Sequence, residues 1–154
     1  DHFGILSARA VLLDALRVEQ NLAVPFTLQL NPIPEDVRAQ LATLASEVRL
    51  GPDVLSRPVS AMTSDVRLRV RFARAVAPRS RLLLAEHPNA LAKASVLSNF
   101  AADFRALVVA RGLTSLTFAA DESYTASVAT RVLTLTPATG VLGEKTGWKD
   151  RLSR

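Results

Sequence analysis

A chain of 154 residues can bury one substantial core, and 49% hydrophobic with 21% charged residues is a globular composition rather than a disordered one. Cysteine is absent, which excludes disulfides and thiolate chemistry, and no apolar run approaches the roughly 20 residues that span a bilayer. The net charge of +5 gathers in two clusters, Arg67, Arg69, Arg71 and Arg74, then Lys145, Lys149, Arg151 and Arg154, but aromatic residues make up only 5% and none interleaves with the arginines, so a nucleic-acid partner is not expected.

No secretory leader pattern opens the sequence, which allows a cytoplasmic location. Phe3, Gly4, Ile5 and Leu6 read as a strand that starts directly after Asp1, so the chain is expected to be the later part of a longer protein. Residues 7–14 read as a loop, and 16–26 as a short helix with Val18, Leu22 and Phe26 on one stripe. Asn31-Pro32-Ile33-Pro34 breaks the chain. A helix is predicted over 35–50, with Val37, Leu41, Leu44 and Val48 aligned and Gly51-Pro52 as its stop.

Residues 53–60 read as a turn of helix and a loop. Thr63 or Ser64 can cap the next helix, which runs to about residue 77 with Asp65 in its first turn, where the macrodipole favours a carboxylate. Val66, Val70, Ala73 and Ala77 form one apolar stripe and Leu68, Phe72 and Ala75 another, with Arg67, Arg71 and Arg74 between them. Such a helix is expected to be buried on two sides.

Leu82 to Ala85 is an unbroken apolar run, the pattern of a strand covered on both faces in a parallel sheet. It ends on Glu86, His87 and Pro88, and ligands of such sheets bind beyond the carboxyl ends of the strands. A helix is predicted over 92–111, with Val96, Phe100, Phe104 and Leu107 inward and Gly112 closing it. Residues 114–118 read as a second buried strand. Asp121 is placed to cap a short helix over 122–129, and 131–135 form a further strand. Pro137 and Gly140 frame a turn into Val141-Leu142, read as an edge strand, and 143–154 read as a mobile basic tail carrying Trp148. Strands alternating with helices after a helical stretch predict an α/β fold: a parallel sheet with an inserted all-helical subdomain.

Glu86 and His87 are the first candidates for acid–base or metal chemistry. Neighbouring strand residues point to opposite faces, so the pair would not converge on one ion, and His2 is the only other imidazole. Asp121, Ser123 and Tyr124 fit a helix cap better than a catalytic group. No serine has a histidine at a persuasive spacing, and G-x-S-x-G is absent.

The segments taken together resemble the nucleotide-binding domain of ATP-binding-cassette (ABC) transporters, and most the branch serving lipoprotein-release and macrolide-export systems. Leu16 to Phe26 is similar to the family's LTVLENVALPL, Arg69 to Val76 to the RVAIARAL after its signature, and Leu82 to Pro88 to its Walker B strand LLLADEP. Arg111 to Asp121 is similar to the RGTTVLLVTHD switch strand, and Arg131 to Leu135 to the strand that follows it. The resemblance covers Phe3 to Leu142 in order and spacing. It implies the later two-thirds of a P-loop NTPase domain of the ABC type. Residues 1–15 would start the core with the glutamine-loop segment, 16–77 form the helical subdomain with the signature, 78–142 the α/β core with the Walker B and switch strands, and 143–154 the tail.

Carried over position by position, the family's chemistry is depleted. The Walker A loop, whose amides and lysine hold phosphates, has no counterpart; the resemblance places it upstream of Phe3. The loop glutamine falls on Ala8, which can neither ligate Mg²⁺ nor orient a water. The signature LSGGQ falls on Met62 to Val66, so Ser64 and Asp65 occupy phosphate-approaching positions, and a carboxylate there would repel an anion by several kcal/mol at an effective dielectric near 20. The metal-organising aspartate falls on Glu86, a possible weak Mg²⁺ ligand, the catalytic glutamate on His87, and the switch histidine on Ala120, although Asp121 is retained. The implied cofactors are ATP and Mg²⁺. The implied partners are a membrane permease subunit and a second ATP-binding domain, with the chain cytoplasmic and peripheral to the membrane. The substitutions imply impaired or absent hydrolysis. The alternative is a pseudo-ATPase interaction module without nucleotide.

Overall fold

The computed structural model describes residues 3–145. Three parallel strands lie at its centre in the order β1 (Phe3–Leu6), β2 (Leu82–Glu86) and β3 (Thr114–Phe118). Between β1 and β2 the chain passes through an all-helical insert. It holds α1 (Val18–Ala23), α2 (Glu35–Glu47), α3 (Pro52–Leu55), a 3-10 turn over Val59–Ala61, and α4 (Ser64–Val76). The crossover from β2 to β3 is α5 (Ala94–Ala110), the kind of connection that parallel neighbours need. After β3 come α6 (Glu122–Val128), β4 (Leu133–Thr136) and β5 (Val141–Glu144).

Parallel register sorts the side chains of the sheet by face. Gly4 pairs with Leu83, Leu6 with Ala85, and Ala85 in turn with Thr117; Ile5 pairs with Leu84, Leu84 with Leu116, and Glu86 with Phe118. The first set faces the core, where Leu6, Leu83 and Ala85 are at most 1% exposed. α4 crosses this face so closely that a Cβ on Gly4 would stand 1.9 Å from the Ala75 carbonyl oxygen, so only glycine fits there. α5 packs onto α4 through three phenylalanines, with Phe72 5.1 Å from Phe104 and 5.6 Å from Phe100 between ring centroids. The other face is open, leaving Phe3, Ile5, Leu116 and Phe118 about half exposed.

Two-sided burial, expected for β2 and β3 from their apolar runs, is therefore corrected. An unbroken run permits cover on both faces, but the described helices cover one. A second correction concerns the last strands. β4 does not extend the parallel sheet; it pairs with β5 as an antiparallel hairpin, in a sheet of its own. The turn decides this: Thr139 and Gly140 N–H both donate to the Thr136 carbonyl, and Gly140 takes φ 69°, so the chain reverses onto β4. β5 also absorbs Gly143 and Glu144 from the expected tail, whose residues 146–154, Trp148 among them, lie outside the described residues.

Helix ends differ from the sequence pattern for local reasons. α1 is shorter than 16–26 because Arg17 N–H is capped by the Gln20 side chain at 2.9 Å and Val24 closes the helix ahead of Pro25. α2 stops at Glu47, where Val48 caps it and Arg49 turns to φ 60°. α5 starts at Ala94 because Pro88–Ala90 forms a 3-10 turn first, and its buried face is Leu97, Phe100, Ala101, Phe104 and Leu107, with Val96 only half-buried.

Candidate functional site at the strand ends

The carboxyl ends of β1, β2 and β3 lie side by side and bring Ala8, Glu86, His87 and Ala120 to one edge of the sheet. The register that pairs Leu6 with Ala85 places Ser7 next to Glu86. The Ser7 hydroxyl donates to Glu86 Oε2 at 2.6 Å, and Arg9 Nη2 stands 3.6 Å from Oε1. The turn is closed by Arg9 N–H donating to Ser7 Oγ at 3.1 Å. The Ser7 hydrogen bond, then the Arg9 charge, hold the Glu86 carboxyl below its usual range. One oxygen of this carboxylate is thus hydrogen-bonded to the loop after β1, and an exposed arginine of that loop stands near the other.

His87 lies one residue beyond the strand, in left-handed backbone with φ 45° and ψ 51°. The alternation that would send it opposite Glu86 stops at the strand end, and this backbone sets its direction instead. Such a conformation costs a non-glycine residue about 1–2 kcal/mol, offset here by its N–H donating to the Phe118 carbonyl at 2.8 Å and by burial of Pro88. The imidazole is on an exposed residue and makes no hydrogen bond among the described residues. Ala8 and Ala120 are exposed methyls on the loops that follow β1 and β3. Asp121 caps α6: it accepts from Tyr124 N–H at 2.7 Å and from the Ser123 hydroxyl at 2.6 Å, contacts that hold its carboxyl low.

Ser64 and Asp65 are elsewhere, at the start of α4 and about 16 Å of helix from Ala75. Thr63 caps this helix, accepting from Val66 N–H. The Asp65 carboxylate is held one turn along by Arg69 Nε, at 3.0 and 3.1 Å. Arg69, 7% exposed, also donates from Nη1 to Asp103 at 2.7 Å and to the Val48 carbonyl at 3.0 Å. Asp65 is therefore neutralised within a tie that joins α4 to α5 and to the end of α2.

The Mg²⁺ implied by the resemblance does not fit the donor set at the strand ends. Glu86 already accepts from a hydroxyl with a guanidinium beside it, and Ala8 and Ala120 offer no side-chain oxygen. No group of three or more His, Cys, Asp or Glu converges among the described residues. Ser7 and Arg9 were not singled out in the sequence; pairing the end of the first parallel strand with the end of the second would have set them beside Glu86.

No known family profile matches the chain, and no curated protein matches it. The solved structures give the class: the fold is that of an ATP-binding cassette. The structure concerned is a dimeric, post-hydrolysis state of the ATP-binding cassette MJ0796 bound to ADP and Pi. It is 17% identical, with a TM-score of 0.69, and the match covers 86% of this chain. The chain spans 58% of the length of that structure. No helix among the described residues is long and apolar enough to cross a membrane.

Proposed function

We propose that this chain is a degenerate ATP-binding subunit of an ABC-type transporter, of the lipoprotein-release or macrolide-export kind. It works at the cytoplasmic face of the membrane, coupled to a permease, and hydrolyses ATP poorly or not at all. The observation that carries the reading is the state of Glu86. By its resemblance to the Walker B strand Glu86 would organise a metal, yet Ser7 donates to its carboxylate and Arg9 stands beside it. Ala8, His87 and Ala120 supply none of the family's groups around it. A second ATP-binding domain, as in the dimeric neighbour, would supply the chemistry and leave this chain to transmit its state to the permease.

The alternative, a pseudo-ATPase interaction module without nucleotide, is favoured by the same hydrogen-bonded carboxylate. The purified chain is expected to turn over ATP at background, and Glu86→Ala and His87→Ala are expected to leave that background unchanged. Turnover that either substitution abolishes would overturn the proposal. Saturable binding of a fluorescent ATP analogue by the purified chain would exclude the module reading.

A further inference from the structure

Arg71 is the anomaly of α4. Its neighbours on the helix surface are fastened: Arg67 pairs with Asp14 at 2.8 Å and donates to the Val59 carbonyl, and Arg74 donates to the Val11 carbonyl at 2.8 Å. The loop segment from Val11 to Asp14 is thus pinned along α4 at both ends, and Arg71, at i+4 from Arg67, lies between the pins. Its guanidinium has no hydrogen-bond acceptor among the described residues, and its Nε is buried without a partner. Burial first, then the Arg67 and Arg74 charges, lower its pKa against a single opposing carboxylate, Asp14. Arg71 is only half-buried and its terminal nitrogens reach solvent, so the Nε–H is the donor left without water or an acceptor, and an anion at the guanidinium would satisfy it. Beside it the loop exposes two apolar side chains, Val11 at 70% and Leu13 at 43%.

We propose that Arg71, flanked by Arg67 and Arg74 and walled by the Val11 to Asp14 loop, is an oxyanion-binding site whose ligand is a carboxylate on an apolar protein surface. A planar guanidinium with free donors matches a carboxylate through two parallel hydrogen bonds. Val11 and Leu13 argue for the apolar surround, because a free phosphate would satisfy the charge and leave both side chains in water.

The test follows the Arg71 Nε–H signal by NMR in the full chain at constant ionic strength. Three probes are used: a helical peptide with one glutamate flanked by leucines, the same peptide with glutamine, and inorganic phosphate. The glutamate peptide is expected to shift the signal saturably and to bind about tenfold more tightly than the glutamine peptide. Phosphate at equal concentration is expected to shift it far less. Arg71→Met is expected to erase the difference between the peptides. Arg71→Lys keeps the charge and is expected to retain only part of the discrimination, so the site remains testable if the Met variant folds badly. Equal binding of the two peptides, discrimination surviving in Arg71→Met, or phosphate matching the glutamate peptide would each overturn the proposal.

Discussion

The two faces of the parallel sheet are made of the same kinds of residue and end in different states. On one, Leu6, Leu83 and Ala85 vanish beneath α4, and Phe72, Phe100 and Phe104 close the layer above. On the other, Phe3, Ile5, Leu116 and Phe118 stay about half in water, and Glu86 shares that face with them. Hydrophobic identity alone therefore does not make a core; a partner layer does. The core face of this sheet is a stability element, whereas the open face leaves four apolar side chains half in water with no covering layer among the described residues.

Substitutions on the two faces sharpen the contrast. Phe72→Ala removes a ring from the closed layer and is expected to cost about 3–5 kcal/mol in chemical denaturation. Arg69→Met leaves Asp65 and Asp103 without their shared cation and the Val48 carbonyl without its donor. A loss of about 2–3 kcal/mol is expected by the same measurement, and a loss below about 0.5 kcal/mol would show the tie to be ornamental. Phe118→Ala, on the open face, is expected to change stability by less than about 1 kcal/mol while lowering self-association in analytical ultracentrifugation. A cost equal to that of Phe72→Ala would erase the distinction between the faces.

The smallest effect is expected at Glu86 and shows itself through pH. Its folded pKa lies below the ordinary value near 4.5, so its contribution is present above that value and disappears as pH falls through the folded pKa. Melting temperatures of the parent and Glu86→Gln should differ slightly at pH 7 and converge in acid. A gap that widens on acidification would mean that the Ser7 and Arg9 contacts do not stabilise the charged form.

The sequence made the helical insert and the β2 strand legible because their signals are local. Thr63 caps α4, Asp121 caps α6, Gly112 ends α5, and the apolar stripe of α2 has a clear helical period. It was silent where the outcome depends on which element arrives next. The two-sided burial expected of β2 and β3 depended on a layer that the described residues do not supply, and the fate of β4 turned on the reversal at Gly140. At the strand ends, residue types identified the candidates Glu86 and His87. Their state needed register, which sets Ser7 against Glu86, and backbone, which takes His87 out of the strand. Asp65 teaches the same lesson: its charge was readable, but its partner Arg69, one turn along the same helix, decides what that charge does.

The contact between Gly4 and Ala75 has a mechanical consequence. Backbone meets backbone there, with no side chain between to act as a bearing, so α4 and β1 cannot slide past each other without a clash. The last helix of the insert is therefore seated directly on the sheet backbone. A disturbance of the Val11 to Asp14 loop, which is bonded to α4 through Arg67 and Arg74, would therefore be felt by the sheet.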